Sequence, residues 1–185
     1  MHVFFDTEFT QIANPLTNLT AKLISVGCVS QDGREFYAEL NDTYQQSDCS
    51  DFVLANVLPL LDGGECRKME AQLAVKLKDW IEEFGEGEAI LRSDCPLIDF
   101  AFIADIFNRY ECWPKNLRRS AGSVRLRLPR HQSQYAEHLV LFWDGHKARR
   151  HHALIDSKSM RFAWCRVVSQ KQDVERVDFN DPNGN

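Results

Sequence analysis

The chain contains no C-x-x-C pair. Its six cysteines, Cys28, Cys49, Cys66, Cys95, Cys112 and Cys165, stand singly along the sequence, which argues against a zinc ribbon or a thioredoxin-like redox motif. No apolar run approaches the roughly 18–20 residues that span a bilayer, and Met1 to Phe5 leads directly into acidic residues with no secretory leader pattern. These absences predict reduced thiols in a cytoplasmic protein without a membrane span. Glycine and proline are few, nine and six, and neither an internal repeat nor a low-complexity linker is present. What remains is 185 residues, 44% hydrophobic and 26% charged, a soluble globular composition with room for one ordinary domain. Such a chain can bury its core without disulfides or a structural metal. Residues 1–170 are expected to form that domain, with 171–185 a polar tail that frays.

Net charge is −5, which alone speaks against a polyanionic partner. Its distribution says otherwise. From Lys115 to Arg150 nine basic residues (Lys115, Arg118, Arg119, Arg125, Arg127, Arg130, Lys147, Arg149, Arg150) face only Glu137 and Asp144, a local +7 that leaves −12 for the rest. An acidic body with one basic segment can bind a polyanion locally; a solvated face fits the same count.

The pattern of apolar residues predicts strands over His2–Asp6, Ala21–Ser30 and Arg34–Leu40, the last two joined by the turn residues Gln31-Asp32-Gly33. Helices are expected over 51–61 and 67–84, where Met69, Leu73, Leu77, Trp80, Ile81 and Phe84 recur at helical spacing before Gly85. A short strand at Glu88–Arg92, a helix from Leu97 to Tyr110, a strand at Val124–Leu128, and helices over Gln132–Trp143 and Arg149–Trp164 complete the reading. An opening antiparallel meander followed by alternating helices and strands implies an α/β fold with a mixed sheet covered by helices.

Three short patterns carry chemistry. Asp6-Thr7-Glu8 closes the first strand; residues i and i+2 of a strand share a side, so both carboxylates face one point while Val3 and Phe5 pack opposite. Two hard anionic ligands suit Mg²⁺ or Mn²⁺ better than zinc, although D-x-E alone also fits a solvated strand end. Asp99 follows the strand Glu88–Arg92 in an apolar setting, where an ionised carboxylate is costly unless paired or bound to metal. Asp94 is its rival, and its place before Pro96 reads as a helix N-cap. The third pattern is His151-His152-Ala153-Leu154-Ile155-Asp156, with a histidine five residues ahead of an aspartate at a helix start.

In this order the three patterns resemble the DEDDh branch of the DnaQ-like 3′–5′ exonucleases, and the text FFDTEF…LISVGCVSQDGREFYAEL looks most like the short bacterial and phage 3′–5′ exoribonucleases, including the mycobacterial type. The resemblance spans roughly residues 2–164. It implies an RNase H-like sheet flanked by helices, two Mg²⁺ or Mn²⁺ ions held by Asp6, Glu8, Asp99 and Asp156, and His151 as general base. His152, in the variable position after it, is the second choice. The middle motif departs from the family's wording, since Ser93-Asp94-Cys95-Pro96-Leu97-Ile98 precedes Asp99. The partner it implies is single-stranded nucleic acid, with RNA favoured over DNA. Thr7 and Phe9 are candidates for sugar and base contacts, Arg149 and Arg150 for phosphates, and Trp143 or Tyr135 for stacking. Related enzymes are often dimers, so a homodimer is among the assemblies the resemblance allows.

Overall fold

A computed structural model describes residues 1–12 and 21–179, with side chains through Val168. Six strands form one sheet: β1 (His2–Phe9), β2 (Leu23–Ser30), β3 (Glu35–Leu40), β4 (Arg67–Lys68), β5 (Ile90–Ser93) and β6 (Gly122–Ser123), in spatial order β4-β3-β2-β1-β5-β6. The β1–β2–β3 meander is antiparallel, and β5 adds to β1 in parallel, as do β4 to β3 and β6 to β5. The expected mixed sheet with an opening meander is the one observed. Among the described residues, five α-helices flank it: α1 (Asp51–Asn56), α2 (Glu70–Glu82), α3 (Pro96–Arg109), α4 (Pro129–His146) and α5 (Ala153–Phe179).

Alternation along β1 divides the molecule. Val3 and Phe5 point into a core built with Leu73, Leu77 and Ile81 of α2 and Ile103, Ile106 and Phe107 of α3. Phe4 points the other way, into a second cluster with Tyr135 of α4 and Met160, Ala163 and Trp164 of α5. Burying a large side chain on each face stabilises the sheet by roughly 1.5–3 kcal/mol per residue. The period of two that fixes this sandwich also assigns Asp6 and Glu8 to the α4–α5 side and Thr7 to the α3 side.

Several expectations change. The helix expected over 67–84 loses its start, because Arg67 and Lys68 pair with β3 as β4 and α2 begins at Glu70. Residues 124–128 form no strand. Only Val124 still bonds the sheet, through Ser93 O, and the next two amides turn to side chains, Arg125 N–H to Ser123 Oγ and Leu126 N–H to Gln132 Oε1. The N-cap of α3 is Cys95, not Asp94; Pro96 occupies the first turn, and the Cys95 amide donates to Ser93 Oγ at 3.0 Å. Helix α5 starts at Ala153 rather than 149 and continues to Phe179, past the boundary drawn at residue 170; residues 180–185 of the expected tail lie outside those described. Among the described residues, no helix is long and apolar enough to cross a membrane.

Candidate active site

β1 continues three residues beyond its expected end, with a register irregularity between Glu8 and Phe9. Asp6 and Glu8 therefore project from a rigid strand. Asp6 pairs across the sheet with Gly27, and Gly27 decides how close α5 can come. A Cβ there would lie 2.2 Å from Leu154 N, a separation only glycine permits. The Ser157 hydroxyl lies 2.8 Å from both Gly27 O and Ala153 O and fixes the contact. The first turn of α5 thus sits directly on the sheet, and Asp156 is delivered to the carboxylates of β1.

Asp99 arrives from the first turn of α3 and is buried. Both of its oxygens are held: Thr7 Oγ1 donates to Oδ1 at 2.6 Å, and the Ser93 hydroxyl donates to Oδ2. Thr7, a candidate for sugar contact, lines the cleft and has its hydroxyl on this carboxylate, and Ser93 is a residue of the site that the sequence reading missed. Serine before Asp-Cys-Pro carries no pattern of its own; only the helix geometry brings its hydroxyl to Asp99.

Two groups of ligand atoms result, Asp6 with Asp94 and Asp99, and Glu8 with His151 and Asp156; within each the atoms lie within 4.8 Å of one another. The rivals Asp94 and Asp99 thus share one group, the first exposed and the second buried. His151 adopts the left-handed φ of 73°, an uncommon state for a non-glycine residue, and its amide donates to Asp156 Oδ2 at 3.0 Å. Its ring meets Phe52 edge-on at 5.0 Å between centroids.

Crowding and burial shape the electrostatics. Burial, and then the neighbouring carboxylates led by Asp156, hold the Asp6 carboxyl well above the usual range. Burial and the charges of Asp156 and Asp99 push Glu8 up to about 8. Asp156 rises to about 7 through burial, despite the His151 amide and Arg150. Burial also raises Asp99, against its two hydroxyl donors. His151 moves down, through burial and the adjacent Arg150. Among the described residues, no hydrogen bond offsets the charge of Asp6 or Glu8. A concentration of hard oxygen donors, with Arg150 the one cation acting on Asp156 among the described residues, fits divalent Mg²⁺ or Mn²⁺.

The cleft has about 350 Å³ of free space and is lined by the carboxylates, His151, Phe9, Trp143 and Arg150. Phe9 stacks on Phe102 at 5.3 Å and so serves the fold as well as the wall. Trp143 lies 5.9 Å from the Arg150 guanidinium. Tyr135 also lines the cleft but is only 4% exposed, which removes its ring as a stacking platform; its buried hydroxyl has no partner. Arg149 is absent from the lining and pairs with Asp62 at 2.9 Å. His152 is buried, stacked on Tyr37 at 4.4 Å, and does not line the cleft, whereas His151 does. Of the other basic residues, Arg118 pairs with Glu88, Lys147 with Asp144, and Arg119 covers Trp113, while Arg125, Arg127 and Arg130 are exposed.

No protein-family model matches the chain. Over 84 residues it is 32% identical to proteins named 3′–5′ exoribonuclease in two strains of Mycobacterium tuberculosis, CDC 1551 / Oshkosh and H37Rv; the matched part is 45% of this chain and 45% of each relative. The nuclease domain of 3′hExo, a DEDDh family member bound to rAMP, superposes with a TM-score of 0.58 at 17% identity over 91% of this chain and 92% of that one. Escherichia coli exonuclease I in complex with a dT13 oligonucleotide gives 0.54 at 11% identity, over 96% of this chain and 42% of that one. The chain therefore shares its fold with the nuclease domain of 3′hExo and with exonuclease I. Within that fold, the likeness in sequence is to the mycobacterial 3′–5′ exoribonucleases.

Proposed function

We propose that this chain is a metal-dependent 3′–5′ exonuclease that removes nucleoside 5′-monophosphates from single-stranded nucleic acid, RNA in preference to DNA. The observation that carries the reading is the convergence of Asp6, Glu8, Asp99, Asp156 and His151, drawn from β1, α3, α5 and the loop before α5, on one open cleft. Two divalent cations bound there would neutralise the carboxylates and relieve charge on the scissile phosphate and leaving oxygen.

The protein's own groups account for the rest. Asp6 and Glu8 sit on the strand, and Asp99 is locked by Thr7 and Ser93, so the oxygen donors are in place before substrate arrives. His151, with its pKa lowered, is neutral near pH 7 and can take the proton of the attacking water. The new bond forms between that water's oxygen and phosphorus, the P–O3′ bond breaks, and a solvent proton restores the 3′-hydroxyl. Arg150, exposed at the cleft and next to the base, is positioned for a phosphate oxygen, and Trp143 beside it offers a face for a base. Likeness to the exoribonucleases supports RNA; discrimination needs a group that reaches the 2′-hydroxyl.

The test is direct. Single-stranded RNA and DNA labelled at the 5′ end are incubated with the protein in Mg²⁺, in Mn²⁺ and in EDTA. A ladder shortened from the 3′ end, stronger on RNA and lost in EDTA, is the expected outcome. Intact oligonucleotide under every metal condition overturns the proposal, and faster shortening of DNA overturns its substrate preference.

A further inference from the structure

We infer that Asp62, which lies outside the cleft, is a positioning residue for His151: its carboxylate clamps the chain on both sides of the histidine. Arg149 Nη2 donates to Asp62 Oδ1 at 2.9 Å, and His152 Nε2 lies 3.3 Å from Oδ2. His152 Nδ1 is buried with no partner among the described residues, so the ring's proton belongs on Nε2, facing Asp62. Only Arg150 and His151 lie between the two clamped residues. One carboxylate therefore closes a four-residue loop at its base and presents the two side chains at its tip to the cleft.

The clamp is itself anchored to the sheet. Glu39 of β3, 1% exposed, accepts the Asp62 amide at 2.6 Å and the Gly63 amide at 3.0 Å, and it also accepts the Tyr37 hydroxyl at 3.0 Å. The Tyr37 ring stacks on His152. A continuous series of contacts thus runs from β3 through Glu39 and Asp62 to the residues flanking His151. The left-handed backbone of His151 makes such fastening necessary, because a non-glycine residue relaxes from that region unless its surroundings hold it. The His151–Asp156 hydrogen bond fixes the tip, and Asp62 fixes the base.

The kinetic consequence rests on the nuclease reading; the mechanical one does not. In the metal-free protein, Asp62→Ala should speed hydrogen exchange of the His151 amide by about tenfold or more. The melting temperature should fall by only a few degrees, because the Asp62 side chain is 41% exposed and the cost is that of one buried His152 N–H left without its acceptor. In steady-state assays on single-stranded RNA, kcat should drop about tenfold with KM nearly unchanged, the pattern of a lost catalytic geometry rather than lost binding. Asp62→Asn, which keeps one acceptor oxygen, should fall between. Arg149→Ala opens one arm alone and separates the clamp from a direct phosphate contact: the clamp predicts lower kcat, whereas a higher KM at unchanged kcat overturns that arm. Wild-type exchange and wild-type kcat in Asp62→Ala overturn the inference. Faster His151 exchange in a protein whose wild type cuts no RNA would sustain the clamp and refute the nuclease reading instead.

Discussion

Carboxylates on β3 and β1, two strands of one sheet with β2 between them, are built on opposite principles. Glu39 on β3 is saturated: two backbone amides and a phenol donate to it, and it ties the 62–63 turn to the sheet. Asp6 and Glu8 on β1 face other carboxylates, and among the described residues no donor offsets them. A buried charge with its full set of hydrogen bonds is a structural device. Carboxylates crowded among like charges are costly to the fold when ionised, and a bound cation would relieve that cost. The contrast separates cleft from scaffold without reference to any relative.

Exchanging the charge for an amide at both sites should give opposite results. Asp6→Asn removes a ligand and relieves repulsion: activity falls about a thousandfold or more, some 4 kcal/mol in the barrier, while the metal-free protein melts higher than the wild type. Glu39→Gln sets an amide against backbone donors and costs about 2 kcal/mol of stability, yet leaves the rise in melting temperature on adding Mg²⁺ in place. Matching stability changes from the two variants would collapse the distinction.

His151→Ala probes the same cleft without touching the carboxylates. Turnover should fall about 10²–10⁴-fold, as for loss of a general base, while Mg²⁺ still raises the melting temperature. Loss of that metal response would recast His151 as a ligand, consistent with its place beside Glu8 and Asp156. A smaller effect is expected at Ser93→Ala, where Asp99 keeps the Thr7 hydroxyl and loses the other. Apparent Mg²⁺ affinity should weaken about 10–100-fold, as for other outer partners of metal ligands, with kcat at saturating metal little changed. Unaltered affinity would show that Thr7 alone orients Asp99.

The same contrast explains what could be read from the sequence. Asp6 and Glu8 share a side because of local strand geometry, and His151 and Asp156 belong to one short motif, so both pairs were legible. The meander and the paired faces of β1 were legible for the same reason. Partners joined across long stretches of chain were not. Gly27 meets Leu154, Thr7 meets Asp99, and Asp62 meets Arg149 and His152, each across some 87–127 positions; none of these residues is unusual in its own neighbourhood. Tyr135 shows the converse. Near the basic segment it read as an exposed aromatic, but helical phase turns it into the core with Met160 and Trp164. Arg149 likewise has a distant partner, Asp62, that its place beside His151 did not reveal.

The mildest expected effect is on stability against pH in the metal-free protein, and its sign follows from the crowded carboxylates. Burial, followed for Glu8 by the charges of Asp156 and Asp99, holds Glu8 at about 8 and Asp156 at about 7 in the folded chain, against 4.5 and 3.8 when unperturbed. Above about pH 6 the unfolded chain has released both protons while the folded chain still binds them, so stability falls as pH rises. His151 and His152 shift down and act in the opposite sense, but their contribution is complete once pH exceeds their ordinary value of 6.5. The window from pH 6.5 to 8 therefore isolates the carboxylates. Thermal melts in EDTA should fall steadily across it, and melts in Mg²⁺ should be nearly level, because a bound cation favours the ionised state on which the folded protein otherwise loses stability. A melting temperature that rises with pH in EDTA would mean that Glu8 and Asp156 are already compensated within the chain, placing them with Glu39 on the structural side of the comparison.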